Sequence, residues 1–174
     1  MSSKAVLGGG CFWCLDAGMQ NLNGVIKIQP AYAGGPEKNP TYKQVCSGRT
    51  GHAEVVVIDF DDSILGFEDL LRSFFSIHDP TQLNRQGNDI GPQYRSVIMP
   101  IGEEQENIAS VVMDEMSNYF EKPIVTTIEQ ATNLTIAEEY HHDYYNKNPY
   151  AGYCSFVIAP KLAKFRQKMS HLIE

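Results

Sequence analysis

No apolar run in the sequence is long enough to span a bilayer, so a transmembrane protein is not expected. The amino terminus, Met1-Ser2-Ser3-Lys4-Ala5-Val6-Leu7, lacks the long apolar stretch of a secretory signal. A reducing, cytoplasmic location is therefore the default expectation. Basic residues are few, with 14 Lys and Arg against 21 Asp and Glu and a formal net charge of −7. A nucleic-acid surface would need clustered Lys and Arg, and an anionic membrane surface would repel this chain. Cysteine is scarce too. Four in 174 residues are too few for a disulfide scaffold, and in a reducing compartment they read as catalytic, metal-binding or buried thiols. Repeats, low-complexity tracts and linkers are absent. Residues 1–174 are expected to form one domain with a core large enough to need no staples.

What the sequence does contain is an alternation of apolar runs and turn residues. Lys4 to Gly8 reads as a short buried strand and Cys11 to Leu22 as a helix, with Gly8-Gly9-Gly10 as the turn between them. Val25 to Tyr32 and His52 to Phe60 read as strands, the latter around the β-branched run Val55-Val56-Val57-Ile58. Thr41 to Cys46 allows one or two helical turns. Phe67, Leu70, Leu71, Phe74 and Phe75 fall at helical spacing. Asp79 to Gln93 is a long polar loop, and Tyr94 to Met99 a strand. Glu103 to Phe120 reads as a helix, Ile124 to Glu129 as a strand, and Ile136 to Tyr145 as a helix. A closing helix follows Pro160, over Lys161 to Ile173. The order up to Met99 is βαββαβ, a split βαβ pattern. The expected class is α+β: a two-layer sandwich with a ferredoxin-like core and a mixed sheet.

The chemistry concentrates in Gly10-Cys11-Phe12-Trp13-Cys14. A thiol has a reference pKa of roughly 8.5, and its thiolate is the nucleophile. Cys11 stands behind three glycines at a helix start, where free N–H groups and the helix dipole favour an anion. Cys14 lies one turn further on, placed to trap an oxidised sulfur. The aromatic pair between them suits an apolar wall beside the reacting atom. A thioredoxin-type dithiol is a rival, but there the tryptophan precedes the first cysteine. A zinc site would want a second Cys-x-x-Cys or a His pair, and Cys46 and Cys154 stand alone.

Gly10-Cys11-Phe12-Trp13 resembles the active-site signature of peptide methionine sulfoxide reductases of the A type. Four further segments look like the family's, in family order. They are Pro40-Thr41-Tyr42 with Val45-Cys46-Ser47-Gly48, then Thr50-Gly51-His52-Ala53-Glu54, then His78 to Gln82 leading through Gly87-Asn88-Asp89 to Gln93-Tyr94-Arg95-Ser96, and last Ala137-Glu138-Glu139-Tyr140-His141. The resemblance implies that Cys11 attacks the sulfur of methionine-S-sulfoxide, giving methionine and a Cys11 sulfenic acid. It implies that Glu54 donates a proton to the sulfoxide oxygen. Tyr42 and Tyr94 would be hydrogen-bond donors to that oxygen, Asp89 would sit in the polar part of the site, and Phe12 and Trp13 would hold the methyl group. Glu54 can act as an acid at pH 7 only if its pKa is raised, and burial beside Val55-Val56-Val57-Ile58 would do that.

Many family members have glycine where this chain has Cys14, and resolve the sulfenic acid with a cysteine near the carboxyl terminus. Cys14 is the first candidate here because the loop to be closed is short, and Cys154 is the second; Cys46 reads as structural. The resemblance further implies thioredoxin as reductant, or dithiothreitol in vitro, with no bound cofactor or metal. Oxidised proteins and peptides would be the substrates of a monomer. His141-His142 with Glu138 has metal-like spacing but reads as helix-surface charge. Two other readings remain open: a general thiol–disulfide oxidoreductase using Cys11 and Cys14, and a zinc-stabilised binding module using all four cysteines.

Overall fold

A computed structural model describes residues 2–173. Chain order begins with β1 (Ser2–Gly8), α1 (Phe12–Met19), β2 (Val25–Ala33), α2 (Tyr42–Cys46), β3 (Ala53–Asp61) and α3 (Phe67–Ile77). It continues with β4 (Arg85–Gln86), β5 (Asp89–Ile90), β6 (Val97–Ile98), α4 (Glu103–Met116), β7 (Thr127–Ile128) and β8 (Thr135–Ile136). The helices α5 (Tyr144–Lys147), α6 (Ala159–Lys168) and α7 (Ser170–Ile173) complete it. Six strands form one sheet in the order β7-β6-β1-β3-β2-β8. All four strands of the expected split βαβ pattern are found in that sheet, in the order β6-β1-β3-β2, with β3 lying antiparallel between β1 and β2. A parallel β6–β7 pair makes the sheet mixed.

The central strand explains the sheet's orientation. Side chains alternate across a strand, and β3 is apolar on both faces because both are covered. Val56, Ile58 and Phe60 join the large core beneath the helices, with Leu7, Phe12, Leu15, Leu70 and Phe74. Ala53, Val55 and Val57 join a smaller cluster on the opposite face, with Val6, Ala31 and Val97. Glu54 shares the parity of Val56 and Ile58, so the register points a carboxyl group into the helix-covered layer.

Several expected elements change on folding. The long loop after Asp79 carries a two-strand hairpin, β4–β5, whose Gln86 amide exchanges hydrogen bonds with the backbone N–H and C=O of Asp79 (3.0 Å each). Of Tyr94 to Met99 only Val97–Ile98 pairs, and Tyr94 ends a 3-10 turn. Of Ile124 to Glu129 only Thr127–Ile128 pairs. The expected helix over Ile136 to Tyr145 is absent. Ile136 instead extends the sheet edge, Ala137 N–H donates to the Pro30 carbonyl (2.9 Å), and Asp143 sits in left-handed backbone at φ 55°. Edge pairing and a left-handed residue leave only a 3-10 turn, Glu139–His141, and the short α5. The closing helix starts before Pro160 rather than after it. Proline has no N–H and crowds the preceding turn, and the chain accommodates it with a widened π turn over Cys154–Ile158.

The turn joining β1 to α1 runs close to the core. A Cβ at Gly9 would stand 2.8 Å from the His78 ring. That ring is fixed at both nitrogens, by the Phe74 carbonyl (2.6 Å) and the Ser96 hydroxyl (2.8 Å). Gly9→Ala is therefore expected to lower unfolding free energy by about 1–3 kcal/mol, measured by urea denaturation. A variant of unchanged stability would contradict this packing.

Candidate active site

Gly10 turns the chain at φ 82°, and its N–H donates to the Tyr94 carbonyl (3.1 Å). Cys11 then caps α1 from an extended conformation (φ −68°, ψ 130°). Its thiol is buried, and the Trp13 backbone N–H points at it. This is the arrangement the sequence predicted, yet its electrostatic outcome differs. Burial pushes the Cys11 thiol well above its ordinary pKa, and the nearby Glu54 and Cys14 raise it further. The single N–H from Trp13 does not offset them, so the resting site holds a thiol rather than a thiolate.

Glu54 lies under that helix start. Its Oε1 accepts the Phe12 backbone N–H (3.1 Å), and its Oε2 is buried with no hydrogen-bond partner. Burial raises the Glu54 pKa to about 8; the Phe12 N–H opposes the shift and Asp89 adds to it. At neutral pH the carboxyl group is protonated. With Oε1 already accepting, Oε2 is the oxygen left to carry the proton as an uncommitted donor.

Aromatic rings surround this pair. Phe12 is fully buried, 5.6 Å from the Tyr32 ring, 6.3 Å from Tyr42 and 5.1 Å from His141. Trp13 is half-buried and stacks on Tyr144 with centroids 3.8 Å apart and planes within 6°. Its Nε1–H donates to His141 Nδ1 (3.0 Å). Tyr42 and Tyr94 are half-buried, and both phenols are shifted upward by burial and then by the nearby Glu54, so they stay protonated donors. Asp89 accepts a 2.5 Å hydrogen bond from the Tyr153 hydroxyl, and that hydroxyl also lies 3.9 Å from the Cys14 sulfur.

The four cysteines fall in different surroundings. Cys14 is buried, and its N–H donates to the Cys11 carbonyl (3.1 Å). Cys154 is fully buried in the π turn. Cys46 is exposed, with the Tyr42 hydroxyl against its sulfur. Among the described residues no group of three or more His, Cys, Asp or Glu side chains could hold a metal ion. The metal-like trio has other partners: Glu138 receives the Tyr32 hydroxyl (2.7 Å) and the Tyr42 N–H (2.9 Å), and His142 Nε2 meets the Ala137 carbonyl (3.0 Å). His52 is hydrogen bonded at both nitrogens, to the Gly35 N–H and the Glu37 carbonyl.

Sequence reasoning missed Tyr144, Tyr153 and the Glu138 clamp. The available signal was the crowding of tyrosines, with Tyr140, Tyr144, Tyr145, Tyr150 and Tyr153 in one short stretch. That stretch folds back over Trp13 and Cys14.

Fold and site together define an α+β thiol oxidoreductase. The family model described as peptide methionine sulfoxide reductase matches residues 3–173. The chain is 55% identical over 174 residues to the peptide methionine sulfoxide reductase MsrA of a Nitratiruptor species, covering 100% of both chains. Its fold is similar to the crystal structure of Mxr1 from Saccharomyces cerevisiae in reduced form, with TM-score 0.82 and 34% identity over 88% of this chain and 89% of that one. Mxr1 in complex with Trx2 is also similar in fold, at TM-score 0.58 and 19% identity over 82% of this chain and 84% of that one. The chain belongs to the peptide methionine sulfoxide reductase family, and reduction of methionine sulfoxide is its activity.

The buried carboxyl group makes a stability prediction. Between a pKa of 4.5 when unfolded and about 8 when native, the native state keeps a proton that the unfolded chain has lost. Raising pH through that window therefore costs native stability. Glu54→Gln removes this cost while keeping an acceptor for the Phe12 N–H. The variant's melting temperature is expected to rise relative to the parent between about pH 5 and pH 8.5. Parallel curves in thermal denaturation would show that Glu54 ionises normally.

Proposed function

We propose that the protein reduces the S epimer of methionine sulfoxide, in oxidised proteins and as the free amino acid, with Cys11 as the attacking sulfur. The observation that carries this reading is the partnerless, buried Glu54 Oε2 beside the Cys11 thiol. Sulfoxide oxygen leaves sulfur only if it is protonated, and a carboxyl group that stays neutral at pH 7 supplies that proton. Tyr42 and Tyr94 hydroxyls donate to the charge that develops on the oxygen. Phe12 and Trp13 receive the methyl group, and Asp89 stands in the polar part of the site.

The Cys11 sulfur attacks the sulfoxide sulfur, and the S–O bond breaks. The oxygen passes to Cys11 as a sulfenic acid, so methionine gains two electrons and Cys11 loses two. Glu54 lends its proton to the oxygen, and the Cys11 thiol proton restores it. Cys14 then attacks the Cys11 sulfur, water leaves, and a Cys11–Cys14 disulfide forms. A thioredoxin dithiol, or dithiothreitol in vitro, returns two electrons and two protons; the Mxr1–Trx2 complex makes a thioredoxin the natural choice. Cys154 is the second candidate for resolution. The single helical turn between Cys11 and Cys14 favours Cys14. The working unit is one monomeric domain, supported by a core that runs from Ala5 to Met169, and its place is the cytoplasm. No helix of the described residues is long and apolar enough to cross a membrane.

Substitutions at Glu54 and at the cysteines test this. Glu54→Gln should lower the single-turnover rate on methionine-S-sulfoxide by about 10²–10⁴-fold. It should leave dithiol exchange at Cys11 and Cys14 intact. Equal loss of both activities would favour the general dithiol reading. Cys11→Ser should abolish sulfoxide reduction. Cys14→Ser should release one equivalent of methionine and then stall with thioredoxin, while Cys154→Ser recycles normally. The reverse result would assign resolution to Cys154.

A further inference from the structure

A groove beside the site has no part in this chemistry. It runs between the end of α3 and α6, with Ile77 and Phe120 on its walls. Lys161, Lys164 and Lys168 line it, and Asp79 is its one carboxylate. Asp79 Oδ1 is already taken by the Thr81 N–H (3.0 Å) and hydroxyl (2.6 Å). The spacing i, i+3, i+7 puts the lysines on one face of α6. Among the described residues, none of the three has a carboxylate at ion-pair distance, whereas Lys4, Arg72 and Arg95 do. A chain of net charge −7 thus concentrates unpaired positive charge in one groove.

The groove joins the site. Lys161 and Gln86 also line an adjoining cavity whose other walls include Asp89 and Tyr153, the pair that reaches Cys14. Lys161 is close enough for its charge to act on the Cys14 thiol. Along α6, Lys164 and Lys168 lie about 4.5 Å and about 10 Å beyond Lys161. An extended peptide advances about 3.3 Å per residue. A peptide with its sulfoxide at Cys11 that leaves past Tyr153 would run toward these lysines, whose span of about 10 Å matches roughly three of its residues.

We propose that the Lys161–Lys164–Lys168 groove receives acidic residues of the protein substrate, so that methionine sulfoxide in acidic sequence is preferred. This rests on the sulfoxide reductase reading above and adds a substrate class to it. Charge complementarity identifies the occupant, because a groove with three unpaired cations and one engaged carboxylate favours Asp and Glu side chains. The half-buried Phe120 on the wall would take the aliphatic parts of those side chains.

The test uses synthetic peptides with one methionine-S-sulfoxide, flanked on either side by Glu or, in the control, by Lys. Dithiothreitol is the reductant, so no partner protein competes for the groove. At low salt, about 20 mM, KM for the better acidic peptide should be about three- to tenfold lower than for its basic counterpart. The preference should fade at about 0.5 M salt. Lys164→Glu with Lys168→Glu should abolish or invert it, leaving kcat/KM for N-acetyl-methionine-S-sulfoxide unchanged. Absence of any preference in the parent protein, or a preference that survives the double substitution, overturns the proposal. So does an effect of the double substitution confined to thioredoxin-driven turnover, which would make the groove a reductant surface. Failure of the parent protein to reduce N-acetyl-methionine-S-sulfoxide would instead overturn the reductase reading.

Discussion

One hydrogen bond ties the sheet to the chemistry: the Phe12 backbone N–H donating to Glu54 Oε1. It links the middle of the sheet to the first turn of α1. It occupies one carboxyl oxygen and leaves the other without a partner. It also brings a buried carboxyl group beside a buried thiol, which the carboxyl group makes harder to ionise. An orphaned buried polar atom is costly unless it serves something. Here the cost is offset by the apolar layers above and below β3, and the uncommitted oxygen is a polar group that a substrate would satisfy.

The segment after β8 completes this arrangement from outside. Glu138 fastens it to β2 and α2 through Tyr32 and the Tyr42 N–H. Asp16 fastens it to α1, accepting the Asp143 N–H (2.8 Å). Tyr144 then covers Trp13, and Tyr153 bridges Asp89 and Cys14. Cys154 follows at once, inside the π turn that leads into Pro160. The second candidate resolving thiol is thus tied to the polypeptide that shields the first.

What could be read in the sequence were the features set by local pattern. The strand–turn–helix at Cys11 and the split βαβ order follow from local pattern, while the five matched segments name the family and single out Glu54. The features that escaped depend on contacts between distant residues. A helix was expected around Glu139 because its composition permits one, but pairing at the sheet edge and the left-handed Asp143 prevent it. Tyr153 looked like any of nine tyrosines until folding brought it to Asp89. The helix start suggested a Cys11 thiolate; burial reverses that, and burial is not written in a five-residue motif.

The central claim is that Glu54 holds its proton at neutral pH. Isotope-edited infrared spectroscopy of the reduced protein measures this directly, with Glu54→Gln as the blank. The account predicts a neutral carboxyl C=O band from Glu54 that persists at pH 7 and disappears with a midpoint of about 8. A band already lost at pH 7, with a midpoint near the ordinary value of 4.5, would contradict it.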